Sequence, residues 1–466
     1  MQISVIGAGY VGLTTAACLA EIGHHVFCAE NDPSKLDKLR AGELPIFEPY
    51  LAELVTANRS RGRIQFGDAE EAVEHGEAIF ICVGTPLGEN GEVDVSAIED
   101  VAHTIARAAK GYKLVIQKST APAGGCHQLQ KWLEQARQSV GNAAFKWDVV
   151  ANPEFLREGS ALHDFLHPDR IVIGADTSSA VNQTQQIYQP IIERTFTCPT
   201  HGSHADLSRV PVVVADTRSA ELIKHAANSF LAMKVSFVNM MADLCEAVDG
   251  DIEKVVEGIG LDHRIGPAFL RPGIGFGGSC FPKDVQGFIR VAEHNECDFS
   301  LLKEVEKINA TRVDRFVAKV KDELGDLRGK VIGVWGLAFK PHTDDIRFSP
   351  AMAVVRRLLE EGAVPQAYDP QAMPKAKLDL PEVHYCSDVY EAATGADALL
   401  VLTEWPEFGV VDWNRLRGLL LSPLILDGRN MLLGQNLRSA GFEYVGVGRN
   451  VLGARRFAEH GIEVRT

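Results

Sequence analysis

No stretch of this 466-residue sequence approaches the roughly 18 uninterrupted apolar residues that a membrane span requires, so no transmembrane helix is expected. The opening residues MQISVIG carry neither a basic region nor a small-residue cleavage site, and no signal peptide is visible. Basic residues are in deficit: 47 Lys and Arg stand against 62 Asp and Glu, a formal net charge of −15. A general nucleic-acid binder needs a basic surface to neutralise phosphates, and this balance excludes one. The nine cysteines are odd in number, scattered, and contain no C-x-x-C pair. Neither a disulfide framework nor a zinc site is therefore expected, and a reducing cytoplasm fits best. What is present is an ordinary folded composition, 46% hydrophobic and 23% charged, long enough for about three domains.

The first half alternates short apolar runs with helical stretches. ISVIG (3–7), HVFCAE (25–30), AIFICVG (78–84), LVIQKS (114–119), DVVANP (148–153) and RIVIG (170–174) read as buried strands. Fully apolar strands between helices indicate a parallel sheet covered on both faces, the doubly wound α/β pattern. Residues 196–217 break this rhythm with Pro, Gly, His and Ser before another apolar run, and mark a domain boundary or an exposed insertion. One long helix is expected from Ser219, its N-cap, to about Val248, because neither Gly nor Pro interrupts that stretch. Such a helix exceeds one domain's layer and is expected to span two domains and help form a subunit interface. A second α/β series opens at KVIGVWGL (330–337), with strands near 365–369, 398–402 and 423–427.

GAGYVG (7–12) fits G-x-G-x-x-G and lies between a strand and an Ala-rich helix. Gly7 permits the tight turn, Gly9 lets backbone approach a pyrophosphate, and Gly12 allows close helix–strand packing. Tyr10 and Val11 complete a cradle whose helix end offers N–H groups to phosphate. Glu30 closes the next strand, where a carboxylate accepts from both ribose hydroxyls and repels a 2′-phosphate, so NAD is expected rather than NADP. Lys35, one turn further on, is either a contact to the adenosine end or a solvated surface lysine.

Ligands in such sheets sit beyond the carboxyl ends of strands. VGTP (83–86), KSTAP (118–122) and NPEFLREG (152–159) fall there, and Thr85 and Thr120 each precede a proline that holds them extended. In NPEFLREG, Asn152 suits an N-cap and Pro153 a first helical position, which would place Glu154 and Glu158 on one face of a short helix. The alternative is a pair of solvated carboxylates. Lys224 and Asn228, four apart on the long helix, share a face in apolar surroundings where a lysine can bind or relay protons; the alternative is a snorkelling surface lysine. In FLRPGIGFGGSCFPKD (269–284), four glycines lead into Cys280, with Lys283 and Asp284 one turn beyond. A helix beginning near Pro282 would place Cys280 at its positive end beside a lysine, where thiolate is favoured. Such a thiolate can trap an aldehyde as a thiohemiacetal from which a second hydride leaves.

With these segments assembled, the chain resembles the UDP-glucose/GDP-mannose dehydrogenase family. The resemblance runs in family order from GAGYVG through NPEFLREG, AELIKHAANSFLA, DHRIGPAFLRPGIGFGGSCFPKD and GLAFKPHTDDIRFSP to LILDGRN, nearly the whole length. It implies two Rossmann-like domains joined by a central helical segment: NAD binding over 1–205, dimerisation over 206–325, UDP-sugar binding over 326–466. It also implies a homodimer that oxidises the primary alcohol of UDP-glucose to a carboxylate in two NAD-dependent steps.

By this resemblance Cys280 is the nucleophile, and Lys224, Asn228 and Asp284 surround the reacting carbon. Thr120 and Glu154 position water and assist proton transfer. Glu158 is a carboxylate on the cofactor and substrate side; Thr85, Lys283 and Arg347 are cofactor contacts. Phe155 and Leu156 beside Glu154, and Phe269, Gly273 and Gly277 ahead of the cysteine, face the substrate. So do Phe339 and Lys340, with Arg429 near the sugar and Arg264 offered to the neighbouring subunit. Three departures stand out. The stretch around 197–214 is longer than in typical relatives, Glu30 replaces a common Asp, and Phe348 replaces an acidic residue between Arg347 and Ser349. Three rivals differ in what they need: a relative acting on GDP-mannose or a UDP-N-acetylhexosamine, a two-electron hydroxyacid dehydrogenase that has no use for Cys280, and a non-catalytic NAD-responsive protein.

Overall fold

A computed structural model describes residues 1–88, 91–198 and 208–449. Half of the long 197–214 stretch, and the end of the segment expected to bind the UDP-sugar, therefore lie outside the described residues. The first sheet contains β1 (Gln2–Ile6), β2 (His25–Ala29), β3 (Ile64–Gly67), β4 (Ala78–Ile81), β5 (Tyr112–Gln117), β6 (Lys146–Ala151), β7 (Ile171–Ala175) and β8 (Val212–Ala215). Their order is β3-β2-β1-β4-β5-β6-β7-β8. The second sheet is built from β9 (Val331–Trp335), β10 (Val364–Tyr368), β11 (His384–Tyr385), β12 (Ala398–Val401), β13 (Leu424–Asp427) and β14 (Glu443–Val445), in order β11-β10-β9-β12-β13-β14.

The strand residues explain why both sheets are doubly covered. Ile3, Val5, Phe80 and Ile116 pack into one apolar cluster, while Ile6, Ile79, Ile81 and Val115 pack into another. Side chains alternate along a strand, so these two clusters lie on opposite faces of the sheet. The second sheet repeats the arrangement, with Ile332, Val334, Leu400 and Leu426 on one side and Trp335, Leu399, Val401 and Ile425 on the other.

Two expectations are corrected here. The first sheet is not wholly parallel, because β7 runs antiparallel to β6. The chain between them stays at the carboxyl end of β6, so the next strand runs back instead of crossing over. The long helix is Thr217–Ala247, and its first turn is capped by Asp216, not by Ser219. The Asp216 carboxylate accepts from the Ser219 backbone N–H at 2.9 Å and from its hydroxyl at 2.6 Å.

The chain divides into two compact units: 1–227 with 286–297, and 228–285 with the residues from 298 onward. The 31-residue helix thus contributes residues to both. No helix among the described residues is long and apolar enough to cross a membrane. None of the nine cysteines is in a disulfide, and seven are buried.

Candidate active site

In the first unit, the loop after β1 has the close packing that its glycines predict. Gly7 has φ +104°, and a side-chain carbon there would sit 2.7 Å from the Cys82 carbonyl oxygen. One at Gly12 would collide with the Gly7 carbonyl, so neither position admits alanine without moving backbone. Gly9 differs: nothing lies within 4 Å of where its side chain would project. It caps the helix Tyr10–Glu21, whose first turn has no side-chain cap and no acidic residue. Open space in front of uncapped N–H groups at a positive helix end suits an anion. The residues present therefore fit a dinucleotide pyrophosphate. Glu30 is buried at the end of β2, its carboxylate accepting from the N–H groups of Ala8, Asn31 and Asp32. Lys35 is exposed.

Beyond the carboxyl ends of β4, β5 and β6, three loops are tied together. Thr85 donates its hydroxyl to the Thr120 carbonyl at 2.8 Å. NPEFLREG is not a helix: residues 152–157 are irregular, and the next helix begins at Ala161. Asn152 caps nothing. It donates to the Val172 carbonyl and accepts from Lys118 Nζ (3.2 Å) and the Tyr188 hydroxyl (2.6 Å), a tertiary demand that outcompetes the local cap. The expected shared helical face of Glu154 and Glu158 falls with the helix. The buried Glu48 instead shapes the end of this segment, accepting from the N–H groups of Gly159 and Ala161.

Glu154 and Lys224 are both buried and form an ion pair at 2.8 Å. Leu156 N–H donates to the second Glu154 oxygen at 2.6 Å. The Phe155 ring carries Arg170 at 3.5 Å and Lys224 Nζ at 5.5 Å from its centroid. A lysine expected either to serve chemistry or to snorkel outward is therefore held inside, over an aromatic face and against a carboxylate. Beside it, Gln117, Ser119, Thr120, Pro153 and Lys224 line a cavity of about 20 Å³, room for a single water molecule.

Lys118 was not anticipated, although a lysine ending the apolar run LVIQ was the available signal. Burial pushes its ammonium down to about 8. Below that pH both folded and unfolded chains hold the proton, and the folded chain bears the full desolvation cost. Between about 8 and the ordinary 10.5, only the unfolded chain still binds the proton, so stability from this group rises with pH across that window. The stability of the natural chain relative to Lys118→Met is thus expected to grow by about 3 kcal/mol from about pH 8 to about pH 10.5, measured by urea unfolding. A difference independent of pH would show that the ammonium is solvated.

In the second unit, the helix Phe281–His294 begins immediately after Cys280, whose carbonyl accepts the Asp284 N–H at 2.8 Å. Cys280 is half-buried. Burial instead pushes the Cys82 and Cys386 thiols up to about 12 and those of Cys18, Cys28 and Cys126 higher as well, which makes them inert packing residues. Asp284 is 1% exposed, and its two oxygens accept from Asn228 Nδ2 at 2.6 Å and Lys283 Nζ at 2.7 Å. Lys283, expected at the cofactor, thus has its ammonium on this carboxylate.

Around the glycine segment, the Phe339 ring lies where a side chain on Gly278 would go, and Lys340 Nζ is 5.4 Å from that ring's centroid. Arg347 is held by Asp345 in a two-point ion pair and is about half exposed. Phe348 has φ +50° and is 62% exposed, and its carbonyl oxygen takes the place a Gly277 side chain would need. Phe269, at φ +63°, packs against Phe281. Arg429, expected near the sugar, directs three donors at the carbonyls of Leu402, Gly275 and Phe339, so it braces loops. Arg264 is splayed outward and gripped by Asp262.

Comparison with known proteins matches residues 1–192 to the NAD binding domain, 218–311 to the central domain and 333–434 to the UDP binding domain of the UDP-glucose/GDP-mannose dehydrogenase family. The chain is 41% identical over 450 residues to UDP-glucose 6-dehydrogenase TuaD of Bacillus subtilis, covering 96% of this chain and 93% of that one. It is 41% identical over 454 residues to the UDP-glucose 6-dehydrogenase of Rhizobium meliloti, covering 96% of this chain and all of that one. Among solved structures, a UDP-glucose dehydrogenase from Pyrobaculum islandicum superposes with a TM-score of 0.85 at 38% identity, over 97% of this chain and 98% of that one. Three domains matched in order, behind a glycine cradle and a cysteine at a helix start, lead to one conclusion: the chain belongs to the UDP-glucose/GDP-mannose dehydrogenase family.

Proposed function

We propose that this chain oxidises UDP-glucose to UDP-glucuronate in two successive two-electron steps, with Cys280 holding the sugar between them. The observation that carries the reading is the half-buried Cys280 at a helix start, one turn from an Asp284 carboxylate that Asn228 and Lys283 hold in place. NAD, held by Gly7, Gly9, Tyr10, Val11, Gly12 and Glu30, supplies the hydride acceptor for both oxidations. Thr85, Glu158 and Arg347 complete its contacts, with Lys35 toward the adenosine end.

Asp284 takes the proton of the primary alcohol as the first hydride leaves, and Lys224 and Asn228 stabilise the negative charge that develops on oxygen. Cys280 sulfur then adds to the aldehyde carbon, giving a thiohemiacetal whose own hydride loss leaves a thioester. Water positioned by Thr120 and deprotonated with the help of Glu154 attacks that carbonyl. The carbon–sulfur bond breaks, the carboxylate leaves, and the thiol is restored. Lys340 and the partner subunit's copy of Arg264 provide positive charge for an anionic uridine diphosphate, and Arg429 shapes the surface near the sugar by bracing the Gly275 and Phe339 carbonyls. Phe155, Leu156, Phe269, Gly273, Gly277 and Phe339 form the remaining substrate surface. Purified enzyme given limiting UDP-glucose should yield two NADH per sugar; one NADH with free aldehyde released would overturn the scheme.

The second reading, another nucleotide sugar, is favoured by the likeness to a UDP-D-ManNAc dehydrogenase from Pyrococcus horikoshii, at 25% identity with a TM-score of 0.80. The relatives at 41% identity favour glucose. The same NADH count across UDP- and GDP-sugars decides between them.

A homodimer is supported by the long helix, where Phe230, Phe237 and Leu244 recur every seven residues and are 59%, 45% and 51% exposed. Such spacing keeps them on one face, and an apolar stripe of this kind is best covered by a second copy. Light scattering should therefore give the mass of two chains, and Phe237→Asp the mass of one. A mass of one for the natural chain would refute the dimer. Nine cysteines without a disulfide support a reducing, cytoplasmic location.

A further inference from the structure

The segment that leads into Cys280 has no helix or strand to define it and four glycines at 273, 275, 277 and 278. Gly275 and Gly278 have φ +103° and +81°. Such a run loses more conformational entropy on ordering than any other sequence, so its shape has to be imposed by its surroundings. The backbone groups show what imposes it. Gly273 N–H donates to Asn239 Oδ1 at 2.8 Å, Ile274 N–H to the Gly428 carbonyl at 3.1 Å, and Gly278 N–H to the Arg347 carbonyl at 3.0 Å. Arg429 donates to the Gly275 carbonyl at 3.0 Å.

The middle of the segment is held differently. Phe276 N–H donates to Asn309 Oδ1 at 2.8 Å, and Asn309 Nδ2 donates to the Phe276 carbonyl at 3.0 Å. One side-chain amide thus satisfies both polar groups of one backbone residue, as a neighbouring strand would. Its approach requires the glycine beside it, because a side-chain carbon on Gly275 would lie 2.8 Å from Asn309 Oδ1. Asn309 projects from the last turn of the helix Ser300–Ala310, an element that supplies no residue of the proposed chemistry.

We infer that Asn309 is a positioning residue: its amide fixes the 273–278 backbone, and through it the Cys280 thiol and the surface offered to the nucleotide sugar. The functional half of this inference rests on the UDP-glucose reading above; the shape-holding half does not. The full-length Asn309→Asp variant is nearly isosteric. It keeps the acceptor for Phe276 N–H and replaces the donor with an oxygen that repels the Phe276 carbonyl. Asn309→Ala removes both bonds. Hydrogen exchange read by mass spectrometry should quicken by about tenfold in residues 270–280 for Asn309→Asp and by more for Asn309→Ala, with the rest of the chain unchanged. The KM for UDP-glucose should rise by about tenfold while kcat falls by less.

Unchanged exchange in both variants would overturn the inference. So would loss of protection throughout residues 228–285 and 298–449, which would make Asn309 a general fold residue. Quickened exchange with unaltered KM would overturn the functional half. If the natural chain turns over no UDP-glucose yet the exchange quickens locally, the UDP-glucose reading fails and the positioning of the segment by Asn309 stands.

Discussion

Cys280→Ser is expected to lower the complete four-electron turnover of UDP-glucose by roughly a thousandfold or more. Sulfur is a far stronger nucleophile toward an aldehyde carbon than a serine hydroxyl in the same place. A thioester is also a far better acyl donor to water than the ester that serine would form. No other thiol is placed to substitute. Seven of the remaining eight are buried, and the exposed Cys297 lies past the end of the helix that Cys280 begins. The measurement is NADH formed per UDP-glucose over time, where a variant that still delivers two NADH at the natural rate would remove Cys280 from the chemistry. Cys280→Ala controls for volume and should be at least as slow.

The second large effect concerns the ion pair of Glu154 and Lys224. Both side chains are 5% exposed and lie 2.8 Å apart. Lys224→Met leaves the carboxylate buried without its cation, a cost of about 3–5 kcal/mol, far above that of an ordinary surface pair. Glu154→Gln keeps only one acceptor and turns its NH2 toward either the Leu156 N–H or the Lys224 ammonium, because those two donors use different Glu154 oxygens. Changing both, as Lys224→Met with Glu154→Gln, should recover much of the loss. A double-mutant cycle in urea should therefore show a coupling of about 2 kcal/mol or more. Each single change should also slow turnover by about a hundredfold or more, because both groups carry charge in the proposed steps. A coupling near zero would mean that the pair is not formed in solution.

How far the fold was legible depended on where a strand sits in its sheet. The ten interior strands were all visible as apolar runs. The strands not recognised were β3, β11 and β14, and β8 was seen only as an unassigned apolar run; these four are the edges of the two sheets. An edge strand need not be apolar on both faces, and β8, with burial only intermediate at best, shows the result. The glycine loop was legible for the opposite reason: its requirements are steric and local, and Gly7, Gly9 and Gly12 state them in the sequence.

Local rules misled where a tertiary partner made a better offer. Asn152 and Pro153 spell a helix start, yet Lys118, Tyr188 and the Val172 carbonyl take up the asparagine, and the segment stays irregular. Ser219 has the chemistry of an N-cap, but Asp216, three residues earlier, does the capping. Glu221, near the start of the long helix, accepts from the N–H groups of Gly124 and Cys126 at the start of another helix.

The sequence by itself determined the interior strands of both sheets, the glycine cradle, the long helix and a cysteine at a helix start, because each depends on residue type and local spacing. Tertiary structure alone decided which polar groups meet: Lys224 with Glu154 and Lys118 with Asn152, pairs separated by 70 and 34 residues. It likewise decided that Arg429 braces loops and that Asn309 grips the glycine segment. A buried charge or amide must find a partner wherever the folded chain provides one, and no local pattern encodes that address.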